Sequence, residues 1–329
     1  LFRSVFGPVE PEWQPGFRVN DDLSHVYALT EEQLDPTHPA GQNEIYDFSY
    51  DPPLLISRGP SGSALCNLSS EVGMRYFGGY TYDWVSTDPA APPRVFFEST
   101  GELPCPPNGT VPAKVYMRDL GADRATLLSG PALPGGPQSE EGAFIRANPT
   151  GTEALFTAEA RLTAEDDNNL ADIYLYSDTE GPKCLTCVGR GGVVGGNGGQ
   201  LERSILATED LSYVYFISPN VLIPGVGEQN RANVYVYHDG QIRYVAPGGS
   251  LAIERSELTD GGRVLFFRSD NPESTNDDTG GFPQAYRYDA EDRSLECISC
   301  KPGITPTDGA IMNVPLAATR GGFGLSAEN

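Results

Sequence analysis

Thr259-Asp260-Gly261-Gly262-Arg263-Val264-Leu265-Phe266-Phe267-Arg268-Ser269 opens as a turn and closes as an aromatic strand. Aspartate heads the turn, and the glycines behind it supply the positive φ that a tight reversal needs. Val264 to Ser269 is dense in the β-branched and aromatic types that suit a pleated surface. The same strand recurs as Val26-Tyr27-Ala28-Leu29-Thr30, Val95-Phe96-Phe97-Glu98-Ser99, Ala154-Leu155-Phe156-Thr157-Ala158 and Val214-Tyr215-Phe216-Ile217-Ser218, with a weaker sixth copy at Gly322-Phe323-Gly324-Leu325-Ser326. Counting the fifth copy from Leu265, the starts are 69, 59, 60, 51 and 57 residues apart. Each full copy leads to a second strand centred on a tyrosine: Tyr46, Tyr116, Tyr174, Tyr235 and Tyr286. From the last residue of the first strand to that tyrosine the gaps are 16, 17, 16, 17 and 17 residues. Chance does not hold a polar loop to one length five times while the overall spacing drifts.

A third strand follows each tyrosine: Leu54-Leu55-Ile56, Thr126-Leu127-Leu128, Cys184-Leu185-Thr186-Cys187, Ile242-Arg243-Tyr244-Val245 and Leu295-Glu296-Cys297-Ile298. Segments between repeats, Ser204-Ile205-Leu206 and Leu251-Ala252-Ile253, are read as fourth strands. No window carries a three-turn amphipathic helix. A four-stranded unit repeated at fixed internal spacing is the mark of a propeller blade, whose faces are buried only by its neighbours. The expected fold is all-β: a β-propeller of four-stranded antiparallel blades, with five complete repeats near 16–66, 85–136, 148–190, 204–248 and 255–303. A partial sixth blade, 315–329, is completed in this reading by residues 1–15 or by a partner, all within one domain, 1–329.

The pattern from TDGGRVLFFRS (259–269) to AYRYDAEDRSL (285–295) resembles the six-bladed propellers of the TolB type. ALFTAEARLTAEDDNNLADIYLYS (154–177) and LECISCKPGITPTDGA (295–310) are similar to repeats of secreted actinobacterial proteins of unassigned role. The resemblance is one of repeat architecture and brings no catalytic motif with it.

Glycine and proline, 38 and 28 of 329 residues, are too frequent for a helical bundle. Twenty-two Lys and Arg against 45 Asp and Glu give a net charge of -23, which repels nucleic acid and anionic lipid. No apolar run is long enough for a spanning helix. The chain starts at Leu1 without a leader pattern and is read as a processed protein or as part of a longer one.

Six cysteines include two Cys-x-x-Cys pairs, Cys184/Cys187 and Cys297/Cys300, at the same place in repeats three and five. A shared zinc site would bring together knuckles on alternate blades. A c-type haem would need histidine where Val188 and Lys301 stand. The preferred reading is two short disulfides, with Cys66 and Cys105 as a third pair, in an oxidising compartment: secreted or cell surface. Asn67 and Asn108 head glycosylation-type sequons.

Asp166-Asp167-Asn168-Asn169, followed by Asp172, and Asp277-Asp278 begin eight residues after their strands end. Clustered carboxylate and amide oxygens suit Ca²⁺, yet Asp and Asn are also what tight turns require. Turns are the first reading and Ca²⁺ sites, formed by Asp166, Asp167, Asn169, Asp172, Asp277 and Asp278, the second. No other cofactor is expected. His25, His38 and His238 share no position in the repeats and are read as surface or loop residues. The glycine-rich run Gly189–Gly199 lacks the Lys-Ser/Thr of a phosphate loop. The repeat tyrosines are assigned to packing between blades. Trp13 and Trp84 are placed outside the repeat strands, with Trp84 and Tyr82 as a contact surface.

No catalytic constellation stands out. The expected function is a non-catalytic binding or structural module for a protein or glycan partner. Two alternatives are kept: a self-associating assembly subunit with blades completed between chains, and a polysaccharide-acting enzyme using the central channel.

Overall fold

In the computed structural model, the described residues are 17–19, 22–30, 32–36, 44–63, 65–66, 84–86, 88, 90–102, 113–135, 139–168, 170–187, 205–247, 256–269, 279–300, 303–306 and 308–309. They are almost entirely strand and turn, with a single-turn 3-10 helix at Asp260–Gly262. The weak sixth copy, Trp13, His38, the glycine-rich run and the Leu251–Ile253 segment lie outside them. The chain divides into two compact units, 1–128 with 149–151, and 129–148 with 152–329.

The first unit holds two four-stranded antiparallel sheets. One runs β1 (Phe17–Val19), β2 (Val26–Thr30), β3 (Glu44–Asp47), β4 (Leu54–Leu55). The chain continues through β5 (Leu65–Cys66), β6 (Trp84–Val85), β7 (Arg94–Ser99), β8 (Gly101–Glu102), β9 (Lys114–Asp119) and β10 (Arg124–Leu127). The second sheet has the order β6-β7-β9-β10, while β5 and β8 pair as a small ribbon that the repeat pattern did not announce. Tyr27, Ile45 and Ile56 of the first sheet pack with Val95, Phe97 and Tyr116 of the second.

The second unit holds three such sheets. They are β11 (Gly142–Ala147) to β14 (Gly181–Cys184), with β12 (Glu153–Ala158) and β13 (Asp172–Ser177) between; β15 (Ile205–Ala207), β16 (Tyr213–Ser218), β17 (Asn233–His238) and β18 (Gln241–Pro247); and β19 (Glu257–Thr259), β20 (Val264–Ser269), β21 (Gln284–Asp289) and β22 (Ser294–Cys297). Each is an antiparallel meander in chain order. The between-repeat strand is therefore the first of its sheet: Ile205–Ala207 pairs with β16.

Alternation within one strand shows how the middle sheet is buried. Val214 and Phe216 pack with Leu155, Ile173 and Leu185 of the preceding sheet. Tyr215 and Ile217 point the other way, toward Leu265, Phe267 and Tyr286 of the next. Covering both faces gives the continuous apolar run that the sequence shows, and each buried large side chain contributes roughly 1.5–3 kcal/mol.

One aromatic pair repeats across the sheets. Phe97 stands opposite Tyr116, Phe156 opposite Tyr174, Phe216 opposite Tyr235 and Phe267 opposite Tyr286. The rings stack at centroid separations of 5.9, 5.9, 5.8 and 5.7 Å. The first sheet has Ala28 opposite Tyr46 instead. All five tyrosines are buried, so they serve packing. The turn at Gly262 needs glycine twice over: its φ is +92°, and an added Cβ would stand 2.2 Å from Thr208 Cγ2 of the neighbouring sheet.

Candidate functional site

The tyrosine hydroxyls reach past the end of each sheet into the loop joining its second and third strands. Tyr235 donates to Asn220 O at 2.7 Å and accepts from Leu222 N at 3.1 Å. Tyr174 donates to Asp166 Oδ2 at 2.6 Å and accepts from Leu162 N at 3.5 Å. Tyr46 accepts from Asp35 N at 3.2 Å. A loop wrapped on a fixed hydroxyl cannot change the length of its arms, which accounts for the constant 16–17 residue gap. Burial raises the pKa of Tyr174 and Tyr235, and at Tyr174 the bond to Asp166 adds to it.

Asp166 and Asp172 converge on this loop, both fully buried. Asp172 accepts from Thr186 Oγ1 at 2.5 Å and from Asn168 Nδ2 at 3.1 Å. Asp166 Oδ1 accepts from Asn168 N at 3.2 Å. Each of the four carboxylate oxygens therefore already accepts a hydrogen bond. Asp167 is exposed. Asn169, Asp277 and Asp278 lie outside the described residues.

Thr186 belongs to a second recurring device that sequence reasoning missed. Its Oγ1 accepts from Ile173 N at 2.9 Å while donating to Asp172. Ser299 accepts from Ala285 N at 2.9 Å and donates to Gln284 Oε1 at 2.6 Å. Ser57 accepts from Ile45 N at 3.0 Å and donates to Glu44. In each case a hydroxyl closes the last strand onto the first residue of the tyrosine strand. The available signal was a Ser or Thr directly after an apolar residue, 11 to 13 residues past each tyrosine.

Disulfides bracket this hydroxyl in two sheets. Cys184 is bonded to Cys187 and Cys297 to Cys300, with Cα separations of 5.8 and 5.5 Å. Asp172 lies with Cys184 and Cys187 inside 4.8 Å, but sulfurs joined to each other offer no thiolate to a metal. Cys66 lies in β5, where its backbone pairs with Gly101; Cys105 falls outside the described residues, as do Tyr82, Asn67 and Asn108. Trp84 corrects an expectation. It is a repeat-strand residue, in β6 opposite Phe96, because this sheet's first strand lies further upstream than the turn signal implied.

His25 is a second correction. It is half-buried, with Nδ1 2.5 Å from Asp47 Oδ2, and it stacks on Tyr27 at a 5.9 Å centroid distance. Tyr50 lies tilted beside it at 5.9 Å. Asp47 is 0% exposed and stands where the other sheets place Met117, Leu175, Val236 and Arg287, one residue past the tyrosine. A fully buried carboxylate at a position that three of these sheets make apolar was readable from the repeats. His238 is also engaged, its Nδ1 2.7 Å from Ser212 O and its ring 3.8 Å from that of Tyr213.

Against known proteins, no family model matches the chain. No curated protein matches it either. Among solved structures, TolB from Acinetobacter baumannii aligns at 12% identity and a TM-score of 0.32, covering 85% of this chain and 53% of that one. The chain is similar to TolB-type β-propellers. The β-propeller domain of the Trilobed protease from Pyrococcus furiosus aligns at 11% identity and a TM-score of 0.39, covering 86% of this chain and 70% of that one. An oligogalacturonate lyase from Vibrio parahaemolyticus aligns at 11% and 0.40, covering 87% and 65%. The chain spans about half the length of the Acinetobacter TolB. Likenesses this distant say nothing of a role, and the blade-like character rests on the five four-stranded sheets themselves.

Proposed function

We propose that this chain is an extracytoplasmic binding scaffold that recognises a protein or glycan through the loops between the second and third strands of its sheets. The observation that carries this reading is the anchoring of those loops: a buried tyrosine hydroxyl holds each root in place. A loop on a rigid sheet keeps its exposed tip in a defined shape, which is what recognition needs. The two disulfides support an oxidising compartment.

The test is selection of ligands from a glycan array and a displayed peptide library on the immobilised chain. A variant with residues 163–165 and 223–229 replaced by Gly-Ser serves as the comparison. Ligands held by the parent and lost by the variant support the proposal. Turnover of a defined substrate by the purified chain overturns the non-catalytic reading.

Calcium belongs to this proposal as a modulator of the loop held by Asp166 and Asp172, whose carboxylates meet through Asn168. A Ca²⁺-dependent rise in Tm that disappears in Asp172→Asn supports it, and an unchanged Tm removes it.

A further inference from the structure

The second unit exposes six large apolar side chains among its described residues: Leu133, Leu170, Val226, Phe282, Ile298 and Ile304, between 37% and 57% exposed. Their placement is not random. Leu170, Val226 and Phe282 each sit in the loop between the second and third strands of a different sheet. Leu133 N donates to Arg161 O at 2.7 Å, which ties it to the first of those loops. Ile298 N donates to Ala285 O at 2.9 Å, beside the start of β21. Ile304 adjoins Thr305 and Pro306, against which Gly280 of the third loop lies so closely that a Cβ there would meet Pro306 O at 2.3 Å.

The corresponding ends of neighbouring sheets lie together. Arg146 Nη1 donates to Ala207 O at 2.8 Å, and Tyr215 OH to Gly262 O at 2.9 Å, joining the turns that precede the second strands. Lys183 Nζ stands 3.3 Å from Gly240 O, joining the turns between third and fourth strands. The six apolar residues therefore share the opposite end, and none of the unit's exposed large apolar side chains is among the described residues of these turns. Single exposed apolar residues are ordinary, whereas six at one end of three sheets mark an interaction surface.

Charge selects the occupant. Glu165, Asp167 and Asp308 are exposed at this end. Its cations are already engaged: Arg161 donates to Ala164 O at 2.9 Å, and Arg231 pairs with Glu228 at 3.1 Å. The apolar side chains thus alternate with uncompensated negative charge.

We propose that this end of the second unit docks an extended peptide segment of a partner protein in which basic and large apolar residues alternate. The proposal rests on the binding reading above and deepens it. The probe is a fluorescein-labelled dodecapeptide of alternating Lys and Leu, with a Lys/Gly peptide of equal charge as comparison. Binding to the full chain is read by anisotropy at physiological salt. The expected result is that the Lys/Gly peptide binds at least about tenfold more weakly. Leu170→Ser with Phe282→Ser is expected to weaken the Lys/Leu peptide about tenfold while leaving Tm and circular dichroism unchanged. Leu23→Ser, an exposed site in the first unit, leaves binding intact.

Equal binding of both peptides, or full affinity in the double variant, overturns the proposal. So does a concentration-dependent doubling of native mass that the double variant abolishes, which assigns the surface to a second copy. A glycan bound in place of peptide overturns the peptide assignment and leaves the scaffold reading intact. Failure to bind any peptide or glycan overturns both.

Discussion

The Tyr174 hydroxyl donates to Asp166 Oδ2 at 2.6 Å, inside the loop that the same tyrosine's strand delimits. The bond is wholly buried, so each partner depends on the other. Tyr174→Phe leaves a buried carboxylate oxygen without its donor, and a loss of about 1–3 kcal/mol is expected. Asp166→Asn keeps an acceptor and should lose less. Urea denaturation of the two single variants and the double variant measures the coupling.

Thr186→Val keeps the shape of the side chain and removes the hydroxyl shared by Ile173 N–H and Asp172. A cost of about 1–3 kcal/mol is expected, with Thr186→Ser close to the parent. Ser299→Ala is expected to cost less, because Ser299 is only half-buried. Thermal denaturation ranks the three.

Tyr174, Tyr46 and Tyr235 all have pKa values raised above the ordinary 10.0, chiefly by burial. The fold favours the neutral phenol and the unfolded chain releases its proton near the ordinary value. Their contribution is therefore complete below about pH 10 and lost as pH rises toward the folded values. Absorbance at 295 nm should show a group of tyrosines that ionise only together with the loss of far-ultraviolet strand signal. Early, independent ionisation of all the tyrosines would contradict this.

Reduction should proceed in order. Cys187 is buried, whereas Cys297 and Cys300 are both half-exposed. Limited dithiothreitol followed by alkylation and mass spectrometry should label Cys297 and Cys300 before Cys184 and Cys187. With so few residues in each ring, chain entropy gives only about 2 kcal/mol per bridge, so paired Cys→Ser variants should still fold.

His25→Ala leaves Asp47 buried without this cationic partner, and a loss of about 1–3 kcal/mol is expected at neutral pH. Adding Asp47→Leu, the residue type found at Leu175, should restore much of it. Equilibrium unfolding of both variants at one pH decides.

These effects were unequally visible beforehand. The Phe–Tyr register was legible because aromatic strands at constant spacing leave a period in the sequence. The Thr186 and Ser299 hydroxyls were not, since a lone Ser or Thr after an apolar residue has many ordinary uses. Asp166 and Asp172 were picked out for their oxygens, but sequence carries no direction, and the fold turns those oxygens inward to Tyr174, Thr186 and Asn168. His25 was passed over because its partner lies 22 residues away, and only the pairing of β2 with β3 brings the two together.

The anchored loops also make this chain a natural engineering platform. A root held at Leu162 by Tyr174 and at Leu222 by Tyr235 isolates the tip from the sheet below it. The tips can then be randomised, much as antibody hypervariable loops are, without retuning the frame. Three adjacent tips in one unit would offer a composite paratope built on a single disulfide-reinforced support.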